Sequence, residues 1–266
     1  MELPIFKIRA SAAGQILGGA FNKPTEKQLA LLAELQAKEK RTAKQDETLA
    51  ELIEKRDSKP QLQTGAKTYL QNWMKEQIYN RRKEFSNKYT EKGNLCEQSA
   101  IDFLSTVMNY GMIEKNTEHR SNEWMTGECD LNLNGIVEDI KNSWDVFTFP
   151  LFATELPDSD YFYQLQVYMC LFDKPRAAVN YCLIDAPEEI IDQVARSASY
   201  KAGCTEVDME LHDEVRAKLT YSEIPNNLRL KRFEFDRDER IIQAIKDRVE
   251  LCREYILQEW NKLQLP

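Results

Sequence analysis

The sequence predicts a mixed α/β (α+β) fold, with a core running helix, weak strand, hairpin, helix, strand, a helical appendage before it and a long helix after it. Three observations carry this. Asn134-Gly135 lies between two apolar-alternating runs, the strongest local hairpin signal, because a type I′ turn needs positive φ at both central residues. Ile101, Leu104 and Met108, and then the segment Tyr161–Phe172, carry apolar residues at helical spacing on either side of that hairpin. Ala177–Ile184 is a largely apolar run of strand length.

In chain order, Thr25 to Asp57 is rich in Ala, Leu, Glu, Lys and Gln, with Leu29, Leu32, Leu35, Leu49, Leu52 and Ile53 at helical spacing. It reads as a helical hairpin turning near Lys40–Ala43 and ended by Pro60. A helix with Tyr69, Trp73 and Tyr79 follows from Thr64 to about Arg82. The core then comprises a helix from about Leu95 to Met108, a weak strand near 114–121, the hairpin, a helix started by Pro157–Asp160, and the strand Ala177–Ile184. Beyond it come a helix from Ala186 to about Ser197, a loop over 201–210, a strand over Arg229–Asp236 and a long helix, capped by Asp236, to about Leu263. The expected division is a helical region over 1–92, a core over 93–185 and an extension over 186–266 packed on the core, forming one domain overall.

With 266 residues, 42% hydrophobic and 30% charged, the chain is long enough for one sizeable core. No apolar run approaches the roughly 20 residues that span a bilayer, and Met1-Glu-Leu-Pro4 lacks a basic leader, so an intracellular protein is expected. The six cysteines form no C-x-x-C pair, which argues against zinc or an iron–sulfur cluster, and two histidines leave little for a His-based site. The net charge of −8 is uneven: residues 1–92 hold 18 basic and 12 acidic side chains, net +6, and the remainder is net −14. The basic excess is densest over Tyr79–Tyr89, where Arg81, Arg82 and Lys83 sit among aromatics. That mixture suits phosphate contact with base stacking, although a solvated helix end has the same composition.

A two-residue turn at Asn134-Gly135 sets the register: Leu133 faces Ile136, Leu131 faces Glu138, and Asp130 faces Asp139. Alternation then puts Asp130, Asp139 and Lys141 on one face and Leu131, Leu133, Ile136 and Ile140 on the other, with Glu138 away from Asp139. Two facing carboxylates repel, and a cation between them relieves this. Hard oxygen donors suit Mg²⁺, with Mn²⁺ as substitute. An ammonium beside them completes a set suited to phosphodiester hydrolysis. The competing reading is a surface hairpin with a Glu128–Lys141 ion pair. Glu97, four residues before Ile101, heads the inward stripe of its helix, a costly place for an acid unless it is paired or metal-bound. Gln164 and Tyr168 share a helix face at i and i+4.

At these motifs the chain resembles the PD-(D/E)XK nuclease superfamily, whose restriction-endonuclease-like core is α-β-β-β-α-β. Gly93-x3-Glu97, Gly127-Glu-Cys-Asp130, Asp139-x-Lys141 and Gln164-x3-Tyr168 look like successive motifs of the branch holding RecB-type and lambda-exonuclease (YqaJ-like) enzymes. The resemblance implies Asp130, Asp139, the backbone carbonyl of Ile140 and Glu97 around a divalent metal, Lys141 positioning the attacking water, and Gln164 and Tyr168 supporting the site. A second echo is Arg9-Ala-Ser11, similar to an element that binds the 5′ phosphate of DNA in YqaJ-like exonucleases. Ser11 as an ordinary helix cap is the alternative.

The resemblance implies a Mg²⁺-dependent exonuclease on linear double-stranded DNA in phage-type recombination. It implies cytoplasmic work in a bacterium or phage-infected cell, a single-strand annealing partner and a ring-shaped homotrimer. A structure- or sequence-specific endonuclease of the same fold, and a silent DNA-binding protein, are the alternatives.

Overall fold

The computed structural model describes residues 2–21, 24–58, 60–83 and 88–264, so part of the basic run over Tyr79–Tyr89 lies outside the described residues. Two helices, α2 (Glu26–Ala37) and α3 (Ala43–Asp57), form the expected hairpin. Each starts with a capping box, Thr25 with Gln28 and Thr42 with Gln45, which satisfies two otherwise unpaired N–H groups at each end. Leu32, Leu35 and Leu52 close the seam between them. Helix α4 (Thr64–Tyr79) stops three residues short of the expected Arg82, because Asn80 takes the left-handed conformation at φ 47°. Helix α5 (Lys88–Met108) begins well before Leu95; Gly93 and its polar neighbours hide its first turns from the apolar pattern.

The hairpin has the expected register. β4 (Leu131–Leu133) and β5 (Ile136–Asn142) pair antiparallel, with Leu131 opposite Glu138 and Leu133 opposite Ile136. Gly135 sits at φ +80°, which glycine adopts without strain, but Asn134 does not take the positive φ that the expected type I′ turn requires, so the register rests on the two-residue loop and not on that turn type. Helix α6 (Ser159–Phe172) crosses back from β5 to β6 (Arg176–Cys182), which lies parallel to β5. β7 (Leu230–Asp236) pairs antiparallel with β6 and completes a sheet of order β4-β5-β6-β7.

This sheet is packed on both faces. Leu131 and Ile140 meet Cys96, Ala100, Ile101 and Leu104 of α5 on one side. Val137 and Val179 meet α6 and the larger core on the other, which also takes in α1 (Ala13–Ile16), α4 and the C-terminal helix α9 (Glu239–Gln264). Of the weak strand expected near 114–121, only β2 (Arg120–Ser121) forms. It pairs with β3 (Met125–Gly127), and β1 (Ile8–Arg9) joins the other edge of β3 in parallel, giving a second, three-stranded sheet. The polar stretch before Arg120 is tied down by Asn116 instead, whose N–H donates to the Asp130 carbonyl at 2.7 Å and whose amide donates to the Cys129 carbonyl at 2.9 Å.

Two further departures lie downstream. After α7 (Glu188–Lys201), a short helix α8 (Met209–Leu219) occupies part of the expected loop and its continuation. Asp208 caps it, and only Val215 and Leu219 are buried, too few to make a readable stripe. Asp236 ends β7 rather than capping α9; Asp238 does that, accepting from the Arg240 N–H at 2.9 Å. Among the described residues, no helix is long and apolar enough to cross a membrane.

Candidate active site

Strand alternation aims Val137, Asp139 and Lys141 at α6, and a cavity of about 570 Å³ opens where the end of β5 meets α5 and α6. Glu97, Asp130, Asp139, Ile140, Lys141, Gln164 and Tyr168 all line it. The structure thus brings into one cavity all seven residues that the motifs named.

Asp139 is buried, 3% exposed. The Lys141 ammonium lies 2.7 Å from its Oδ2, and the Gln164 amide donates to its Oδ1 at 3.2 Å. The same amide donates to the Tyr168 hydroxyl at 2.7 Å, so the i, i+4 pair on α6 acts as one bracket behind Asp139. Asp130 Oδ2 accepts the Ile140 N–H at 2.6 Å, which holds the carboxylate across the hairpin from Asp139. Burial raises the Asp130 pKa to about 7, the charge of Asp139 adds to this, and the Ile140 N–H only partly offsets it. Burial also pulls the Lys141 ammonium down, but the charge and hydrogen bond of Asp139 outweigh it and leave the pKa above its ordinary value. Lys141 also lies 4.3 Å from the centre of the Tyr161 ring.

Glu97 departs from its expected setting. Its side chain is 34% exposed and pairs with Lys115 at 2.7 Å, so it sits at the cavity rim rather than in the core. The buried stripe of α5 runs through Lys92, Cys96 and Ala100, and Glu97 stands beside it. Lys115 was missed because nothing local ties it to Glu97, 18 residues away. Tyr161 carried a readable signal, being i−3 from Gln164 and i−7 from Tyr168 on one helix face. Glu138 points to the opposite face, as alternation requires.

The donor set fits a hard divalent cation: facing carboxylates on adjacent strands, one of them driven toward protonation by burial and by its neighbour's charge. Among the described residues, the acidic and histidine ligand atoms that approach within 4.8 Å of one another as a trio belong to Glu188, Asp192 and His212 instead. That trio is a surface ion-pair cluster, with Glu188 held by Arg216 and Asp192 by His212 at 2.9 Å.

A second cavity, of about 490 Å³, is lined by Arg9, Ser11, Tyr69, Asn72, Glu76 and Lys83 among others. β1 carries Arg9 there by pairing with β3, with Arg9 opposite Thr126. Ser11 is exposed and caps neither the 3-10 turn Ala10–Ala12 nor α1, which removes the ordinary cap as its role. Arg81 donates to the carbonyls of Tyr79 and Asn80 at the end of α4, and neither it nor the exposed Arg82 lines the cavity. Gly127 packs between Ala10, next to Arg9 and Ser11 in the chain, and Tyr168 of the first cavity. A Cβ there would fall 2.8 Å from the Ala10 Cβ and 3.0 Å from Tyr168 Cε1, so only glycine permits this packing.

No protein-family model and no curated protein matches the chain. Solved structures do. A phage-related exonuclease from Haemophilus somnus 129PT is 26% identical over 98% of each chain, with a TM-score of 0.69. An alkaline exonuclease from Laribacter hongkongensis is 11% identical over 97% of this chain and 91% of its own, with a TM-score of 0.56. The same exonuclease in complex with dAMP matches with a TM-score of 0.51 at 12% identity, over 94% of this chain and 96% of its own. The mixed α/β architecture is that of these exonucleases from end to end.

Proposed function

We propose that this chain, a lambda-exonuclease-like PD-(D/E)XK nuclease by fold and motif order, is a divalent-metal-dependent exonuclease on linear double-stranded DNA. The observation that carries the reading is the convergence of Glu97, Asp130, Asp139, Lys141, Gln164 and Tyr168 on one cavity at the end of β5. Asp130, Asp139 and the Ile140 carbonyl would hold the metal, with Glu97 released from Lys115 to complete the set. A bound Mg²⁺ supplies a Lewis acid that polarises the phosphoryl oxygen and acidifies water.

The protein's own groups do the rest. The raised pKa keeps Lys141 charged at neutral pH, so it stabilises the negative charge that develops on phosphorus and orients the attacking water rather than acting as a free base. Tyr161 under its ammonium and Asp139 beside it fix its position. Gln164 and Tyr168 hold the Asp139 carboxylate against rotation, which keeps the reacting geometry.

The separate cavity with Arg9, Ser11 and Lys83 favours an exonuclease over an endonuclease, because it offers cationic and hydroxyl donors to a 5′ phosphate. The family resemblance extends the proposal to a homotrimer around the duplex and a single-strand annealing partner. The test is digestion of end-labelled linear duplex beside covalently closed circular DNA, in Mg²⁺ and in EDTA. Metal-dependent loss of the linear DNA alone is expected. Cutting of the closed circle would replace exonuclease with endonuclease, and no cutting of either would remove the catalytic reading.

A further inference from the structure

We propose that Glu76 is a built-in placeholder for a terminal phosphate: it holds the Arg9 guanidinium until a phosphomonoester displaces it, and so sets how tightly the second cavity binds a phosphorylated end. This rests on reading that cavity as the site of the DNA 5′ end.

Arg9 Nη2 lies 2.8 Å from Glu76 Oε2. The arginine side chain stays 38% exposed to the cavity while the glutamate is only 15% exposed. The second carboxylate oxygen of Glu76 accepts the Lys83 N–H at 3.3 Å. Glu76 thus stands where a ligand's oxygens would meet Arg9. Carboxylate and phosphate compete for a guanidinium because both match its fork of parallel donors.

A second, independent observation lies beside the pair. The Tyr69 hydroxyl is buried, lines the same cavity and has no hydrogen-bond partner among the described residues. The charges of Arg9 and Glu76 both act on it, which places it close to them. Burial pushes its pKa up to about 12, so it is a neutral donor at physiological pH. Buried polar groups are as a rule hydrogen-bonded, and an unpartnered donor in the wall of a cavity, beside an ion pair that a ligand would open, is a candidate partner for a ligand oxygen. The exposed Ser11 hydroxyl adds another donor that caps no helix.

Charge decides the competition. A phosphomonoester carries about −1.5 to −2 at neutral pH, against one negative charge on Glu76. An internal phosphodiester also carries one, so it gains little by displacing the carboxylate. A terminal monoester has more charge and an extra free oxygen for Tyr69 and Ser11. Glu76 therefore sets a cost that a terminal phosphate meets on reaching Arg9 and a hydroxyl end does not meet.

The experiment compares binding of two duplexes of one sequence, 5′-phosphorylated and 5′-hydroxyl, in EDTA so that neither is cut. Glu76→Gln is expected to bind the phosphorylated duplex about two- to fivefold more tightly and to raise the phosphate preference by the same factor. Glu76→Asp keeps the charge on a shorter arm and is expected to move the ratio in the same direction, which preserves the test if the glutamine variant does not fold. An unchanged ratio in both, with Arg9→Ala abolishing the preference, would overturn the placeholder and leave the 5′-end cavity standing. Equal weakening of both duplexes by Glu76→Gln would make Glu76 an orienting partner of Arg9 and likewise overturn it. A preference that survives Arg9→Ala would remove both readings.

Discussion

The two faces of β5 carry neighbouring buried acids with opposite fates. Glu138, fully buried, takes two parallel hydrogen bonds from Arg232 at 2.8 and 2.9 Å, one from Asn180 at 2.7 Å and one from Tyr110 at 2.7 Å. Every lone pair is used and the charge is neutralised, which is what a buried carboxylate needs to be structural. Asp139, one residue on and 3% exposed, faces the half-buried carboxylate of Asp130 and shares one lysine with it. That face holds more negative charge than its own groups neutralise. Surplus charge at the end of a rigid strand costs stability and creates demand for a cation and an electrophilic substrate. The first face teaches what satisfied burial looks like, and the contrast supports the catalytic role proposed for the second.

The contrast is broken most strongly at Lys141. Lys141→Ala is expected to lower turnover on linear duplex by about 10²–10³-fold, while DNA binding in EDTA stays nearly unchanged. Near-normal turnover would mean that the charge on this face is not used in the reaction.

A smaller effect sharpens the same point through stability. The folded-state pKa of Asp130 is about 7 against an ordinary 3.8, so the folded protein binds that proton more tightly than the unfolded chain. Between these values the unfolded state has lost the proton and the folded state has not, so this group lowers stability as pH rises from about 4 to 7, with the full cost persisting above that. In EDTA, Asp130→Asn should match the wild type near pH 4 and exceed it at pH 8 by about 2–4 kcal/mol, one pKa unit being worth about 1.4 kcal/mol. Mg²⁺ should close the gap by stabilising the wild type alone. Thermal melts at the two pH values read this directly, and a variant less stable than the wild type at pH 8 would contradict it.

What the sequence revealed tracks how local each determinant is. The hairpin register follows from Asn134-Gly135 alone, and with it the facing of Asp130 and Asp139 and the exile of Glu138 to the other side. Gln164 and Tyr168 followed from helical spacing, and Tyr161 was available by the same rule. Contacts made across the fold were not readable: Lys115 on Glu97, Glu76 on Arg9, and Arg232 with Asn180 on Glu138 join residues far apart in the chain. Elements with weak apolar patterns failed too. Helix α8 buries two residues, and α5 begins in a polar stretch whose Lys92 is buried by donating to the Ser143 and Trp144 carbonyls at 2.9 and 2.8 Å. A lysine used that way looks in sequence like any solvated one.

The most direct measurement sets Asp139→Asn beside Glu138→Gln, reading thermal stability and turnover per folded molecule for each. Asp139→Asn is expected to be inactive with stability equal to or above the wild type. Glu138→Gln is expected to lose about 3–5 kcal/mol, because it leaves Arg232 facing an uncharged partner in a buried pair, while the molecules that stay folded still cut DNA. An active Asp139→Asn, or a Glu138→Gln that is stable and inactive, would reverse the roles of the two faces and contradict the account.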